Sequence, residues 1–337
     1  MRVAVLGATG MLGHHTAIAA LESGHELTII HRRGSDLSKI ADLDCRTVVA
    51  DLDDAAALTE ALSDVDAAIN CAAYYPTKPR PWRDEVATAT AQMARFYDAC
   101  AAGSLQKIVY LGGAIALPKH PDGVPGHEDL DYPGPPPTKN SYVRVKWAMD
   151  RQAAERAQAG LPVVIGIPTM SFGEYDFGPS TGTLLTKVAN QDLPGYVRGN
   201  RNVVYAGDAG RGLLLALERG RPGERYLITG ADVSMDELVA LMARVAGVAT
   251  PKALPMAAAR VVGAAQAWKY KLFGGDPPVI SETAIAVMSG GQFLSGDKAA
   301  RELGYRPTLG LEETIERAFR WFQSVGYIDA QPSKSNS

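Results

Sequence analysis

The chain has 337 residues, of which 46% are hydrophobic and 21% are charged. This composition excludes an unfolded or fibrous chain, and the length predicts two structural units or one large domain that carries a lobe. The net charge is -3 and no long run of one sign occurs, so we expect neither nucleic acid nor a membrane as a partner.

The distribution of apolar residues and cysteines predicts a cytoplasmic location. The first residues lead directly into an apolar strand, without the pattern of a secretory signal. No apolar run approaches the roughly 20 residues that a membrane span requires. The three cysteines stand at unrelated spacings and suit a reducing compartment, where a buried thiol packs as a small hydrophobe. They are Cys45, Cys71 and Cys100.

Short apolar runs alternate with helix-length segments over the first half of the chain, and each run predicts a strand. The runs are residues 3–6, 27–30, 47–50, 67–70, 107–111 and 162–167. Uniformly apolar strands that alternate with helices are typical of a parallel sheet that is covered on both faces. The predicted fold class is therefore α/β, with a doubly wound parallel sheet.

A proline-rich segment, residues 118–137, interrupts this alternation with seven prolines and three glycines. Such a segment predicts a surface loop, because proline lacks the N–H that a helix or central strand uses. The loop follows the fifth strand, at the carboxyl edge where doubly wound sheets bind ligands. It could also be a stiff connector without a function.

The second half of the chain predicts shorter strands and several helices. The predicted helices are residues 182–190, 208–217, 235–246, 256–270, 281–287 and 311–322. We expect Trp268, Trp321 and Phe322 in the core. The last seven residues, 331–337, are polar and predict a frayed tail.

A glycine-rich turn, residues 7–13, stands between the first strand and the first helix. Gly7 permits a tight turn, Gly10 allows a pyrophosphate to approach the backbone, and Gly13 allows close packing of helix and sheet. The helix N-terminus adds free N–H groups and the positive end of its dipole. This context predicts a dinucleotide-binding turn, although a purely structural turn is the alternative.

The end of the second strand indicates which dinucleotide binds. Arg32 and Arg33 stand there, and no carboxylate follows before Asp36. An acidic residue would hold a ribose 2′-hydroxyl, whereas arginine accommodates a 2′-phosphate. We therefore expect NADP, with NAD as a possible second cofactor; the basic pair could also be ordinary solvated surface.

Two further strand ends predict contacts with the cofactor. Asp51 and Leu52 follow the third strand, where one carboxylate could accept a hydrogen bond from an adenine amino group while its neighbours cap the next helix. The fourth strand ends in residues 70–73, whose small side chains leave room for a cofactor against the backbone.

Tyr142 and Lys146 stand four residues apart on the helix after the proline-rich loop, which puts both on one face. A free phenol has a pKa of about 10, and a nearby ammonium group favours the phenolate. The pair predicts an acid–base centre, and an amphipathic helix face is the alternative. The histidines show no ligand spacing, so we expect no metal site.

These features together resemble the extended short-chain dehydrogenase/reductase family. Within it, the chain is most similar to nucleoside-diphosphate-sugar epimerases and dihydroflavonol-4-reductase-like proteins, the NAD(P)-dependent epimerase/dehydratase group. The matching elements are residues 7–13, 51–52, 70–73, 142–146 and 167–168, and, in the second half, 204–218, 223–228 and 300–307.

The resemblance implies a Rossmann-like fold with a smaller C-terminal α+β lobe. Residues 1–170 and 203–230 would form the dinucleotide-binding domain, and residues 171–202 and 231–330 the substrate-binding lobe. A small-molecule substrate would lie between them, and the protein could be a homodimer. The reaction would be hydride transfer at a carbonyl or hydroxyl carbon, as in an oxidoreductase or a sugar-nucleotide epimerase or reductase.

The resemblance also assigns roles to residues. Tyr142 would be the acid–base residue, Lys146 would bind the nicotinamide ribose and lower the tyrosine pKa, and Pro168 would abut the nicotinamide. The expected cofactor-binding residues are Gly7, Thr9, Gly10, Met11, Leu12, Gly13, Arg32, Arg33, Asp51, Leu52, Cys71, Ala72, Ala73, Tyr142, Lys146 and Pro168.

Two positions depart from the family pattern. Gly113 stands where members carry a serine or threonine that polarises the substrate carbonyl, and Ala89 stands where an asparagine is usual. Three hydroxyls could substitute, those of Thr169, Ser171 and Tyr175. Gly113 could instead be needed for a positive φ angle. A cofactor-binding sensor or interaction protein with weakened or lost turnover is therefore the alternative to an enzyme.

Overall fold

The computed structural model describes residues 1–329, apart from residues 73, 75, 77–79, 104, 274–285 and 287–288. The strands are β1 (Arg2–Leu6), β2 (Glu26–His31), β3 (Arg46–Val49), β4 (Ala67–Asn70), β5 (Lys107–Leu111), β6 (Val163–Pro168), β7 (Met170–Phe172), β8 (Asn200–Tyr205), β9 (Arg225–Ile228) and β10 (Ala231–Ser234). The helices are α1 (Met11–Glu22), α2 (Ala55–Leu62), α3 (Trp82–Ala102), α4 (Ser141–Gln158), α5 (Gly182–Ala189), α6 (Ala206–Arg219), α7 (Met235–Ala246), α8 (Met256–Phe273), α9 (Asp297–Leu303) and α10 (Leu311–Ser324).

Seven of the strands form one parallel sheet in the order β3-β2-β1-β4-β5-β6-β9. The chain order reverses on the two sides of β1, which is the switch point where doubly wound sheets bind ligands. A smaller sheet pairs β8 in parallel with β7 and antiparallel with β10. The predicted fold class, a doubly wound α/β sheet of Rossmann type with smaller elements from the second half of the chain, is confirmed.

Helices cover both faces of the large sheet, because its strands are apolar on both sides. The side chains of β4 and β6 are buried throughout. One core lies between the sheet and α2, α3 and α4, and it includes Leu58, Phe96 and Met149. The other lies beneath α1, α6 and α9, and it includes Ala17 and Leu213.

A third core joins β7 and β8 to α5, α7 and α10, through Phe172, Leu185, Met242 and Phe322 among others. These helices and most of the small sheet come from the part of the chain expected to form the substrate lobe, whereas residue 170 and residues 203–205 come from the part expected to form the dinucleotide-binding domain. We keep the division into a dinucleotide-binding domain and a substrate lobe as a proposal. No described helix is long and apolar enough to cross a bilayer.

The prediction that Trp268 lies in the core is wrong, because 67% of its surface is exposed. Helix α8 packs through small residues such as Ala259 and Gly263, and its apolar residues occur on more than one face. Apolar spacing therefore could not tell which face is buried. Phe322 is buried as expected, and Trp321 is partly buried. The predicted helix 281–287 falls almost entirely outside the described residues.

The proline-rich loop, residues 118–137, contains no helix and is attached to the edge of the large sheet. The carboxylate of Glu128 accepts a hydrogen bond from the backbone N–H of Leu227 in β9 (2.8 Å). Gly126 pairs with Leu294 through a single bridge. The Arg225 guanidinium donates to the carbonyl of Leu130 (3.4 Å). The loop is thus fixed against β9, beside the carboxyl ends of the strands.

Candidate active site

The glycine-rich turn lies directly on the end of β4. Gly7 has φ 82°, a left-handed conformation that favours glycine. A Cβ at Gly7 would lie 2.8 Å from the backbone nitrogen of Ala72, and one at Gly13 would lie 2.6 Å from the carbonyl carbon of Gly7. Both glycines are therefore required by close backbone packing.

Gly10 differs from its two neighbours, because space is open around it. It is exposed, and an added Cβ would meet only the carbonyl oxygen of Gly7, at 3.5 Å. Gly10 caps α1 without a side-chain hydrogen bond, so the first N–H groups of that helix remain available. Of the neighbouring residues, Met11 is buried, and Thr9 and Leu12 are partly buried. An open helix N-terminus of this kind fits a pyrophosphate.

Arg32 and Arg33 follow β2 and are both exposed. Neither guanidinium has an ion pair among the described residues. The nearest downstream acidic residue, Asp36, accepts hydrogen bonds from the backbone and hydroxyl of Ser38 and so caps the short 3-10 helix Leu37–Ile40. The end of β2 therefore presents two cations, while its carboxylate is used locally.

The three carboxylates after β3 have separate local tasks. Asp54 caps α2 by accepting from the N–H of Ala57, and Asp53 pairs with Arg95 of α3 (3.1 Å). Asp51 accepts only from the N–H of Asp53 among the described groups. Of the three, Asp51 is the least engaged by other described side chains, and Leu52 packs against the core beside it.

The end of β4 is held by its own side chains. The Asn70 amide oxygen accepts from the N–H of Ala72 (2.9 Å), and burial raises the pKa of the Cys71 thiol to about 12. Cys71 is thus an unreactive packing residue whose backbone borders the glycine turn. Ala73, also expected to contact the cofactor, lies outside the described residues.

Helix α4 carries the predicted acid–base pair. Asn140 caps the helix by accepting from the N–H of Val143. Tyr142 lies in the first turn and is partly buried, whereas Lys146 is only 8% exposed. Burial lowers the pKa of Lys146 to about 8, against a smaller opposite effect of Asp150. The ammonium group is therefore still mostly charged at neutral pH.

Gly113 does not need to be glycine for backbone reasons. Its φ is -139° and its ψ is 129°, extended values that any residue adopts. A Cβ there would lie 3.4 Å from Cδ of Lys146, an ordinary van der Waals contact. The expectation that a positive φ could explain this glycine is wrong.

The three residues whose hydroxyls could replace the missing serine all make other contacts. Thr169 donates to the amide oxygen of Asn202 (2.8 Å), and Ser171 donates to the carbonyl of Thr169 (3.0 Å). Tyr175 stacks on His14 of α1, with ring centroids 3.7 Å apart. Pro168, beside Thr169, is buried at the end of β6.

The comparisons with known proteins agree on one family. The model of the NAD dependent epimerase/dehydratase family matches residues 3–229. The chain belongs to this family. A crystal structure of a nucleoside-diphosphate-sugar epimerase from Pseudomonas aeruginosa is 44% identical over 98% of this chain and 99% of that one, with a TM-score of 0.85.

More distant relatives of the chain are named for other enzyme activities. A Synechocystis protein named as a dihydroflavonol 4-reductase is 25% identical over 97% of this chain and 96% of its own length. A dTDP-glucose 4,6-dehydratase from Bacillus anthracis, in complex with NAD, is 16% identical over 97% of this chain and 98% of that one (TM-score 0.74) and shows the fold alone. The predicted family resemblance and the enzyme class are confirmed.

One residue beside the predicted pair of Tyr142 and Lys146 was not predicted from the sequence. Asp150 lies one helical turn beyond Lys146 and is 1% exposed. It forms an ion pair with Arg225 of β9 (2.7 Å). The spacing of four residues from Lys146 was the only signal, because its partner lies 75 positions away in sequence. No cluster of metal-ligating residues occurs in the described part of the chain.

Proposed function

We propose that the chain is a nicotinamide-dependent oxidoreductase that transfers a hydride to or from a carbonyl or hydroxyl carbon of a small molecule. The observation that carries the proposal is the buried Lys146 on the same helix as Tyr142, at the sheet edge that also carries the open glycine turn. Burying a charged lysine costs free energy. A role of that charge in assisting the Tyr142 phenol would explain why the lysine is buried there.

The residues at the strand ends fit such a cofactor. The N–H groups beside Gly10 would take the pyrophosphate, Arg32 and Arg33 a 2′-phosphate, and Asp51 the adenine. Ala72 and Pro168 would lie along the rest of the molecule. A bound nicotinamide would supply or accept the hydride.

Tyr142 would exchange the proton that accompanies the hydride. In reduction its phenol donates a proton to the substrate oxygen, and in oxidation the phenolate removes a proton from the hydroxyl. Lys146, as an ammonium, favours the phenolate and would hydrogen-bond the nicotinamide ribose. The substrate would lie between the carboxyl edge of the large sheet and the lobe of residues 171–202 and 231–330.

The lobe also holds a buried cation, Arg201, whose guanidinium donates to the carbonyl of Asn200 (2.6 Å). Arg201 of β8 is 6% exposed, and burial lowers its pKa to about 10, so it stays charged at neutral pH. A Cβ at Gly291 would meet its guanidinium, and one at Gly290 would lie 3.0 Å from Ile115, just after β5. The 44% identity to a nucleoside-diphosphate-sugar epimerase supports a nucleotide sugar as the first substrate class to test.

Turnover is tested with NADPH and NADP⁺ against nucleotide sugars, aldehydes and ketones. We expect Tyr142→Phe, which removes only the hydroxyl, to abolish turnover while the affinity for NADPH stays within a few-fold. A wild-type protein that binds NADPH but turns over none of these substrates, and that Tyr142→Phe leaves unchanged, would contradict the proposal. The absence of a hydroxyl at Gly113 favours that second candidate, a cofactor-binding protein without turnover.

Cofactor choice is tested by calorimetry. Because the two arginines at the end of β2 form no ion pair with any residue that the structure describes, we expect NADPH to bind more tightly than NADH. Replacing both Arg32 and Arg33 by alanine should remove most of this difference, since a hydrogen bond to a charged group contributes about 1.5–3 kcal/mol. Equal affinities of the wild type for both cofactors would show that the pair is ordinary solvated surface.

A further inference from the structure

Asp150 is a buried carboxylate whose two oxygens have different surroundings. Oδ2 pairs with the Nη2 of Arg225 at 2.7 Å. Oδ1 is buried and has no hydrogen-bond partner among the described residues. A buried carboxylate oxygen without a hydrogen-bond partner destabilises the fold. This cost suggests that the carboxylate has a function at this position.

Asp150 and Lys146 pack side by side against two consecutive glycines after β5. A Cβ at Gly112 would lie 3.3 Å from Oδ1 of Asp150, and a Cβ at Gly113 would lie 3.4 Å from Cδ of Lys146. The two glycines let α4 approach the strand end closely. The carboxylate and the lysine stem thus share one layer from which water is largely excluded.

The charged and titratable groups around this layer come from every element packed against it. Arg225 of β9 lowers the pKa of Asp150, as does Arg151 of α4, while Asp131 of the proline-rich loop raises it. Burial is the largest effect and raises that pKa to about 6. Asp150 is therefore mostly ionised at neutral pH.

Two tyrosines complete the surroundings of Asp150. Tyr97 of α3 and Tyr110 of β5 have pKa values well above the usual range, because both are buried and Asp150 adds negative charge beside them. Both stay neutral over the physiological range. The negative charge of Asp150 also opposes the loss of charge on Lys146 by raising the pKa of that lysine.

We propose that Asp150 is a positioning residue for the Tyr142–Lys146 pair, and that its carboxylate keeps Lys146 charged at neutral pH. The inference rests on the proposed function, in which that charge serves the phenol and the cofactor ribose. Opposite charges in a water-poor layer interact more strongly than in solvent. Asp150 therefore offsets part of the penalty that burial places on the ammonium group.

Arg225 connects this charge to the proline-rich loop. Its guanidinium approaches Asp131 (3.5 Å) as well as Asp150, and Asp131 pairs with Arg151 (3.1 Å). The loop and the lysine are thus linked through one guanidinium. Arg225 holds Asp150 ionised, and Asp150 in turn holds Lys146 charged.

The test is the pH dependence of NADPH affinity, measured by cofactor fluorescence between pH 6.5 and 9.5, which spans about one and a half units on either side of the Lys146 pKa. In the wild type we expect affinity to fall as pH rises through about 8, where Lys146 loses its proton. Asp150→Asn keeps the shape of the side chain but not its charge. We expect it to move the fall to lower pH by about one unit.

Three variants accompany Asp150→Asn. Lys146→Met should abolish the fall. Arg225→Met removes the guanidinium that pairs with Asp150 from the edge strand β9. It should move the midpoint of the fall in the same direction as Asp150→Asn, and it tests the inference if Asp150→Asn does not fold. Asp98→Asn of α3 removes a comparable but exposed ion pair with Arg156 of α4 (2.7 Å), and it should leave the midpoint unchanged.

The outcomes separate this inference from the proposed function. If Asp150→Asn and Arg225→Met keep the wild-type midpoint while Lys146→Met abolishes the fall, the role of Asp150 is refuted and the Tyr–Lys pair stands. If Lys146→Met also behaves as the wild type, Lys146 does not contact the cofactor, and both are refuted. A midpoint moved to lower pH by Asp150→Asn but not by Asp98→Asn supports the inference.

Discussion

Under the proposed function, a hydroxyl at position 113 would help to stabilise charge on a substrate oxygen. Gly113 has an extended backbone and room for a Cβ beside the Lys146 stem, so serine fits without strain. We expect Gly113→Ser to raise turnover about tenfold or more on a substrate of the enzyme, because one aimed donor contributes roughly 2.7–4 kcal/mol to a transition state.

The matched control for this prediction is Gly113→Ala, which adds the same Cβ without the hydroxyl. It should leave turnover near the wild-type value, and melting curves should show both variants folded. Equal rates for the serine and alanine variants would mean that a hydroxyl at this position does not face the reacting oxygen.

The buried lysine also makes a stability prediction. The folded-state pKa of Lys146, about 8, is below its usual value of 10.5, so the unfolded chain binds more protons between these two pH values. Its burial therefore destabilises the fold fully below pH 8, and this cost disappears as pH rises toward 10.5. Lys146→Met should raise the free energy of unfolding at pH 7, by up to about 3 kcal/mol.

Urea denaturation at pH 7 and pH 10 checks this. The advantage of the methionine variant should shrink at the higher pH, and replacing the exposed Lys252 by methionine should give little change at either. A constant advantage across the range would attribute the effect to packing rather than to charge.

At the scale of elements, α1 and α6 pack so closely that the backbone of α6 at Gly210 lies directly against the backbone of α1. A Cβ at Gly210 of α6 would lie 2.6 Å from the carbonyl oxygen of His15 and from the nitrogen of Thr16. We expect Gly210→Ala to destabilise the protein by about 1–3 kcal/mol, although alanine is the better helix former. Because α1 begins at the glycine-rich turn, where we propose that the cofactor binds, NADPH affinity should fall as well.

Thermal unfolding and NADPH titration measure the two effects. Gly178→Ala is the control, since nothing lies within 4 Å of its added Cβ, and that variant should melt within a degree or two of the wild type. An unchanged melting temperature in Gly210→Ala would show that the two helices can separate at no cost.

Local patterns in the sequence predicted the strands, helices and turn that carry the candidate site. They did not predict contacts between residues that are far apart in the sequence. Apolar runs and the glycine spacing gave the strands and the turn, because each depends on neighbouring residues. The Asp150–Arg225 pair depends on β9 lying beside β6, which no local pattern encodes. Burial of Trp268 was predicted wrongly because the face that α8 turns inward is set by its neighbours.

At the scale of the whole molecule, the large sheet is completed by a strand from the second half of the chain. β9 pairs with β6 through residues 225–228 and carries Arg225. We expect residues 1–170 alone to be poorly soluble, because β6 would still pair with β5 but its other, apolar edge would have no strand beside it. Residues 1–230, which include β9, should be recovered in the soluble fraction in larger amounts.

Expression of the two fragments and light scattering of each soluble fraction compare them. A fragment of residues 1–170 that stays monomeric and gives a cooperative melting curve would show that β9 is dispensable for the sheet.

The late arrival of β9 also affects the protein while it is being made. The ribosome completes β6 at Pro168 and reaches β9 only at Arg225, 57 residues later (225 − 168). At roughly 5–20 residues per second, this delay lasts about 3–11 seconds. During that time the nascent chain exposes an unpaired hydrophobic edge, so its yield in a cell should depend on chaperones that bind emerging strands.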